Sequence, residues 1–63
     1  MITVTQPPKE GAVVDVKTSS PPQVNSQIEF IKGKQAVALG IVTEVTSQNT
    51  YKVLVVLSEA GPQ

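Results

Sequence analysis

The residue types that carry most enzyme chemistry are absent from this 63-residue chain or lie in unpromising places. It contains no Cys and no His, which removes thiol nucleophiles, the standard catalytic triads and the commonest zinc ligands. A Ser–Lys dyad would have to combine Lys17 with Ser19 or Ser20. These residues lie in a Pro-rich connector, where nothing buries the lysine to make it reactive. We therefore predict no catalytic residues and no enzyme activity.

Carboxylates that could bind a metal ion, or act as a general acid and base, are single and widely spaced. They are Glu10, Asp15, Glu29, Glu44 and Glu59. On outward strand faces or in loops, such residues are ordinarily solvated surface charge. The four glycines are scattered and do not form the spacing of a phosphate-binding loop. The sequence therefore predicts no metal site and no cofactor.

Nucleic-acid or peptide binding is the alternative that the charged residues allow. Lys32, Lys34 and Lys52 could form a small basic patch beside Tyr51, the one candidate for an exposed ring, while Phe30 alternates with acidic Glu29 and is predicted to be core. However, five Lys balance five acidic residues and there is no Arg. A strongly basic nucleic-acid-binding protein is therefore disfavoured.

The elements that would position these residues are predicted to be strands. One third of the chain is β-branched, with eleven Val, four Ile and six Thr, and such side chains fit a pleated sheet better than a helix. Alternation predicts strands at residues 2–5, 12–17, 27–31, 36–46 and 50–58. We expect an all-β fold, a small barrel or two-sheet sandwich of four to five short strands with an extended Pro-rich N-terminal arm.

Turns and one glycine define the predicted strand boundaries more closely. Lys32-Gly33-Lys34-Gln35 predicts a hairpin turn in which Gly33 adopts positive φ. Residues 47–49 predict the next turn, with Asn49 in the left-handed region. Gly40 lies in the middle of a long strand, which predicts a bulge or a sharp bend there.

The chain is predicted to divide near Asn25. Residues 1–25 contain Pro7-Pro8 and Pro21-Pro22, and paired prolines favour an extended arm with one or two short strands. Residues 26–63 are predicted to be the compact β domain, ending in a polar tail from residue 59. No internal repeat is evident.

Apolar residues on both faces of the last strand predict that its second face is covered. Tyr51, Val53, Val55 and Leu57 are expected on one face and Leu54 and Val56 on the other. The cover could be the chain's own arm or a second subunit, because exposed contiguous apolar patches usually mark interfaces. The residues predicted to contact another subunit are Val13, Val42, Leu54 and Val56. The arm is predicted to be anchored by Ile2 and Val4, or by Val14 and Val16.

The small size of the chain favours the second subunit. A domain of about 60 residues has marginal stability, and without Cys or His it has neither disulfides nor the usual metal staple. We expect the partners to be other protein subunits in a homo-oligomer or larger assembly; no membrane partner is expected, and nucleic acid is disfavoured. No signal peptide is visible, and no apolar run approaches a membrane span. A soluble protein, cytoplasmic or within an assembled virion, is therefore expected.

Two segments resemble known families. Residues 35–42, followed by a polar turn and residues 51–55, resemble a segment of the small capsid decoration or cement proteins of tailed bacteriophages. That resemblance implies a structural role in which neighbouring shell subunits are clamped, often by trimers with an extended N-terminal arm. Lys32-Gly33-Lys34 and Gly40-Ile41-Val42 also resemble SH3-like ribosomal and transcription modules, which implies the alternative of a free-standing adaptor that binds a peptide or RNA.

Overall fold

The computed structural model of this protein describes residues 1–62; Gln63, the last residue of the predicted tail and compact domain, lies outside them. Regular structure in the described chain is entirely β, and the five predicted strands are all present. They are β1 (Ile2–Thr3), β2 (Val13–Lys17), β3 (Gln27–Lys32), β4 (Gln35–Ser47) and β5 (Thr50–Ser58). The predicted all-β class is confirmed.

The five strands form one mixed sheet in the order β1-β3-β4-β5-β2, curled into a half-barrel. β1 runs parallel to β3, and every other neighbouring pair is antiparallel. Both edge strands, β1 and β2, come from the first 25 residues of the chain. The predicted arm therefore contributes two strands to the same sheet as the rest of the protein.

The concave face of the sheet is the hydrophobic core. Phe30 lies at its centre with no exposed surface, as its alternation with Glu29 predicts. The buried residues are Ile28, Phe30, Val37, Ala38, Val42, Tyr51, Val53 and Val55. Ile2, Val4, Val14 and Val16, from the first 25 residues, are partly buried and pack against them.

A glycine turn leads into β2. Gly11 has φ +86°, and the amide of Ala12 donates to the carbonyl of Lys9, which is the pattern of a type II turn. Gly11 then donates to the carbonyl of Val55, whose own amide donates to the carbonyl of Ala12. Gly11 and Ala12 thus both oppose Val55. This arrangement is a β-bulge whose first residue is in the left-handed region.

The same construction leads into β3, with an asparagine in place of the glycine. Asn25 has φ +77°, and Ser26 donates to the carbonyl of Gln23. Asn25 donates to the carbonyl of Val42, whose amide donates to the carbonyl of Ser26. Asn tolerates the left-handed region better than most residues. In both cases a Pro-Pro pair immediately precedes the turn.

Strand register extends this likeness over most of the sheet. The pairing register is symmetric about a pseudo-two-fold axis between Ile41 and Leu54, with β2 equivalent to β3 and β5 to β4, so that Val13 corresponds to Gln27; the symmetry ends at the bulge after Phe30. The equivalent pairs are 13–54 with 27–41, 14–53 with 28–40, 15–52 with 29–39, 16–51 with 30–38, 40–55 with 42–53, and 39–57 with 44–52. The likeness is structural, and the sequence shows no corresponding repeat. The two units share a turn and a strand pattern but few identical residues.

The hairpin turns agree only partly with expectation. Gly33 has φ +65° in a two-residue loop between β3 and β4, as predicted. The register shifts between Leu39 and Gly40, where the mid-strand glycine predicts an irregularity. The prediction for Asn49 is wrong, since its φ is not positive. Its carbonyl instead accepts a hydrogen bond from Thr18, just beyond β2.

Candidate interaction surface

A row of apolar side chains crosses the convex, outer face of the sheet. Ile41 pairs with Leu54 at the centre of the sheet, and Leu54 pairs in turn with Val13 on β2. Ile41 and Leu54 are partly exposed, and Val13 is 56% exposed. Side chains of paired residues lie on the same face. These three residues therefore form one continuous strip.

The strip widens at the end of the sheet nearest the β3–β4 turn. Leu39 pairs with Leu57, and Val56 is the extra residue where the ladder shifts between Leu57 and Val55. Leu57 is 59% exposed and Val56 is 44% exposed. We call Val13, Leu39, Ile41, Leu54, Val56 and Leu57 together the outer apolar patch.

A shallow groove of about 390 Å³ runs along one side of this patch. Leu39 and Leu57 line it, and Glu29 and Glu59 contribute its carboxylates. Glu59 accepts a hydrogen bond of 3.2 Å from the side-chain amide of Gln35. Apolar and carboxylate side chains together line this groove, a mixture that is found at surfaces that bind other proteins.

The other half of the sheet has polar residues at the equivalent positions. The pseudo-two-fold axis relates Leu39 to Lys52, Val56 to Thr43, and Leu57 to Glu44. Thr43 and Glu44 are exposed and Lys52 is partly exposed. The same sheet geometry is therefore built with a cation, a hydroxyl and a carboxylate in one half and with three aliphatic side chains in the other. Apolar side chains are not required there by the fold.

One ion pair lies on the polar half. Lys52 Nζ is 2.9 Å from Asp15 Oδ1, across the β5–β2 pairing. The hydrogen bond and the charge of Asp15 raise the pKa of Lys52 above its ordinary value, and Glu44 adds a smaller attraction. The pair is exposed to solvent, where such contacts contribute little to stability.

Three of the predicted interface residues belong to the patch. Val13, Leu54 and Val56 lie on it, whereas Ile2 and Val4 pack against the core of their own chain. The placement of Val42 is corrected: it pairs with Val53 on the concave face and has no exposed surface.

The sequence reasoning missed Leu39, Ile41 and Leu57. It assigned Leu57 to the face of Val53 and Val55, but the bulge at Val56 turns Leu57 outward. Leu39 and Ile41 were grouped by alternation with Val37, a buried residue. The usable signal was Gly40 between Leu39 and Ile41, because Val53 and the Phe30 ring approach so closely on the concave face that a side chain there would overlap them.

The residues of the alternative binding site are not brought together. Tyr51, the one candidate for an exposed ring in that alternative, is only 6% exposed and is part of the core, on the face that it shares with Val53 and Val55. Lys32 ends β3 and Lys34 lies in the β3–β4 turn, whereas Lys52 pairs with Glu44 near the other end of β4. The predicted basic patch is therefore split between two ends of the sheet.

The other candidate chemical groups remain apart or exposed. Among residues 1–62, no group of three or more carboxylates is placed to hold a metal ion. Lys17, Ser19 and Ser20 are all exposed. The described chain also has no helix with the length and apolar character needed to cross a membrane.

Comparison with known protein families, with curated protein sequences and with solved structures finds no match to this chain.

Proposed function

We propose that this chain is a non-enzymatic structural protein that assembles with other copies of itself through the outer apolar patch. The observation that carries the proposal is the contrast between the two halves of the sheet. Leu39, Val56 and Leu57 occupy positions whose equivalents are Lys52, Thr43 and Glu44. Their apolar character is therefore best explained by a contact outside the chain.

Size and charge favour a second copy as the partner. The chain has no net charge and equal numbers of acidic and basic residues, so that two copies approach without overall repulsion. Burying one exposed leucine contributes roughly 1.5–3 kcal/mol. In a two-fold contact each patch residue is buried twice, which adds stability that a small domain without disulfides lacks.

The N-terminal arm has a supporting role in this proposal. Ile2 and Val4 cover part of the core, and the amide of Val4 donates to the carbonyl of Ile31. The arm thus packs on the concave side within one subunit and leaves the convex face for the neighbour. The sequence offers the arm and a second subunit as alternative covers of the second face of β5; since the arm packs on the core side, the proposal assigns that face to a second subunit.

The most concrete form of the proposal is a viral-particle component that decorates or cements a bacteriophage capsid. The likeness of residues 35–42 and 51–55 to such proteins supports it. In that setting the groove beside Leu39 and Leu57 receives part of an adjacent subunit, and charge has little part in the contact. Assembly through apolar surface should persist at moderate salt, where phosphate-dependent binding to nucleic acid weakens steeply.

The test replaces the patch with the residues that the chain itself uses in its other half. The triple substitution L39K/V56T/L57E copies the polar equivalents and leaves the net charge unchanged. We expect the wild-type chain to show a concentration-dependent molar mass above that of one subunit by light scattering. The triple variant should associate at least about tenfold more weakly, because losing about 1.4 kcal/mol of contact energy corresponds to that factor.

A matched control separates the patch from general surface hydrophobicity. Val24 and Val45 are 48% and 41% exposed and lie outside the patch. The double substitution V24K/V45E makes the same charge changes there and should leave the molar mass unaltered. A wild-type chain that remains a monomer at every concentration, or a triple variant that assembles like the wild type, would contradict the proposal.

A further inference from the structure

The outer edge of β2 presents backbone groups that no strand in the described chain pairs with. β2 is the last strand of the sheet and has only β5 as a neighbour. The carbonyl of Ala12 and the amide of Thr18 both face β5. Because backbone direction alternates along a strand, Val13, Asp15 and Lys17 direct their amide and carbonyl groups outward.

The internal repeat shows what such an edge accepts. The pseudo-two-fold axis relates Val16 and Lys17 to Phe30 and Ile31, and these are the residues of β3 that pair with β1. The carbonyl of Ile31 accepts a hydrogen bond of 2.8 Å from Val4. The equivalent carbonyl, that of Lys17, lies on the open edge. One half of the sheet is thus extended by a strand at a position where the other half is not.

The charges of β2 select a partner and a register. An antiparallel copy of β2 placed about a two-fold axis at Val16 sets Asp15 opposite Lys17 of the partner, and Lys17 opposite Asp15. A two-fold axis at Asp15 sets two carboxylates against each other, and an axis at Val14 leaves Asp15 opposite Val13. Opposite charges stabilise a cross-strand pair and like charges destabilise it.

We infer that the free edge of β2 pairs antiparallel with β2 of a second copy of this chain, in the register centred on Val16. In this register Asp15 of one copy and Lys17 of the other form a hydrogen-bonded pair. The two residues exchange two backbone hydrogen bonds. Val16 faces Val16 of the second copy on the concave side of the sheet, next to the core that it already contacts. The inference deepens the proposed function, since it adds a second self-contact to the outer apolar patch.

Two charge reversals test the register by mutual rescue. The register contains two equivalent pairs of residue 15 with residue 17. In D15K each pair consists of two lysines, and in K17D each pair consists of two aspartates. Each variant alone should associate through β2 at least about tenfold more weakly than the wild type, because like charges then face each other at both pairs. An equimolar mixture of the two should recover the association, since every lysine then faces an aspartate of the other variant. Sedimentation equilibrium measures all three samples.

A matched control addresses charge alone. K34D makes the same charge change as K17D at an exposed residue of the β3–β4 turn and should not affect association. D15K also removes the partner of Lys52, and K52Q isolates that loss without altering the edge. Thermal unfolding of each variant establishes that the subunit is folded.

Cysteine pairing gives a second readout that does not depend on charge repulsion. The chain has no cysteine of its own. A hydrogen-bonded antiparallel pair has Cα atoms about 5.5 Å apart, which is within the range of a disulfide. A mixture of D15C and K17C should therefore oxidise mainly to the mixed disulfide dimer. Equal yields of the mixed and the two like dimers would contradict the register.

Different outcomes overturn the contact through the outer apolar patch and the contact through the β2 edge. In the L39K/V56T/L57E background the edge alone should hold a dimer, which D15K should convert to a monomer. If that background is already monomeric, the edge inference is overturned while the proposed function stands. If D15K abolishes all association of the wild type and L39K/V56T/L57E changes nothing, the proposed function is overturned and the edge inference stands.

Discussion

At the scale of single residues, Gly40 is the position where packing leaves least choice. A Cβ atom there would overlap the side chain of Val53 and would lie 3.0 Å from the carbonyl oxygen of Leu54 and 3.2 Å from the Phe30 ring. Its φ is not in the left-handed region, so the requirement is steric. The glycine lets β4 and β5 curl closely around the core residues of the concave face.

Gly40→Ala should therefore lower the free energy of unfolding by about 1–3 kcal/mol, the usual cost of overpacking a core. Urea denaturation measures the change. G40A should cost less in a V53A background, because the side chain that it overlaps is then shorter. Strictly additive effects of the two substitutions would show that the close approach to Val53 is not the cause.

At the scale of elements, the two turn–bulge units work alike with different residues. Gly11 and Asn25 both have positive φ, and both begin a bulge that feeds a strand into the sheet. An added Cβ at Gly11 would meet no atom within 4 Å. A substitution there thus reports the backbone conformation and little else.

We expect Gly11→Ala to lower the free energy of unfolding by about 1–2 kcal/mol, the cost of placing a Cβ in the left-handed region. Gly11→Asn, which copies the other unit, should cost clearly less because Asn visits this region more readily. Thermal or urea unfolding of the two variants gives the comparison. Equal losses for Ala and Asn would contradict the assigned role of the turn.

Local patterns predict the strands well and the faces poorly. Alternation and β-branched residues are local signals, and they place all five strands within one or two residues of their bounds. Which face is buried depends on the curl of the whole sheet. The larger side chains of Leu39 and Ile41 suggest a buried face, but the tight curl buries their small neighbours Ala38 and Gly40 and leaves these two partly exposed.

The candidate site could be only half predicted for a related reason. Val13, Leu54 and Val56 follow from the surplus of apolar residues on β2 and β5. Leu57 does not, because the bulge at Val56 reverses the alternation after it. The structural repeat is not visible in the sequence because it preserves backbone conformation and strand register rather than residue identity. Its sequence signature is limited to the two Pro-Pro pairs and to Gly11 and Asn25, one at each turn.

At the scale of the whole molecule, the order of pairings along the chain predicts an order of opening. β3, β4 and β5 are joined by two tight turns, whereas β2 pairs with β5 across about 40 residues, as in Val13 with Leu54. β1 is held by only two paired residues. Closing the longer loop costs more chain entropy, and short edge pairings open more readily.

Hydrogen exchange should therefore resolve at least two levels of protection. Amides that join β4 to β5 should exchange only when the whole subunit unfolds, and the Val4 amide that bonds Ile31 should exchange far sooner. Measurement by NMR in mild denaturant distinguishes the two classes. The same rate for both would mean that the arm and the hairpins open as a single unit.

The axis between Ile41 and Leu54 has a consequence for how any partner is oriented. A molecule that docks on the central strip meets nearly the same backbone after it is rotated by half a turn. Two bound poses would then be close to degenerate, and specificity of orientation falls to the residues that differ between the halves. Leu39 differs from its equivalent Lys52, and Leu57 differs from its equivalent Glu44. These differences decide which of the two orientations a partner adopts in an assembly, even where they contribute little to its strength.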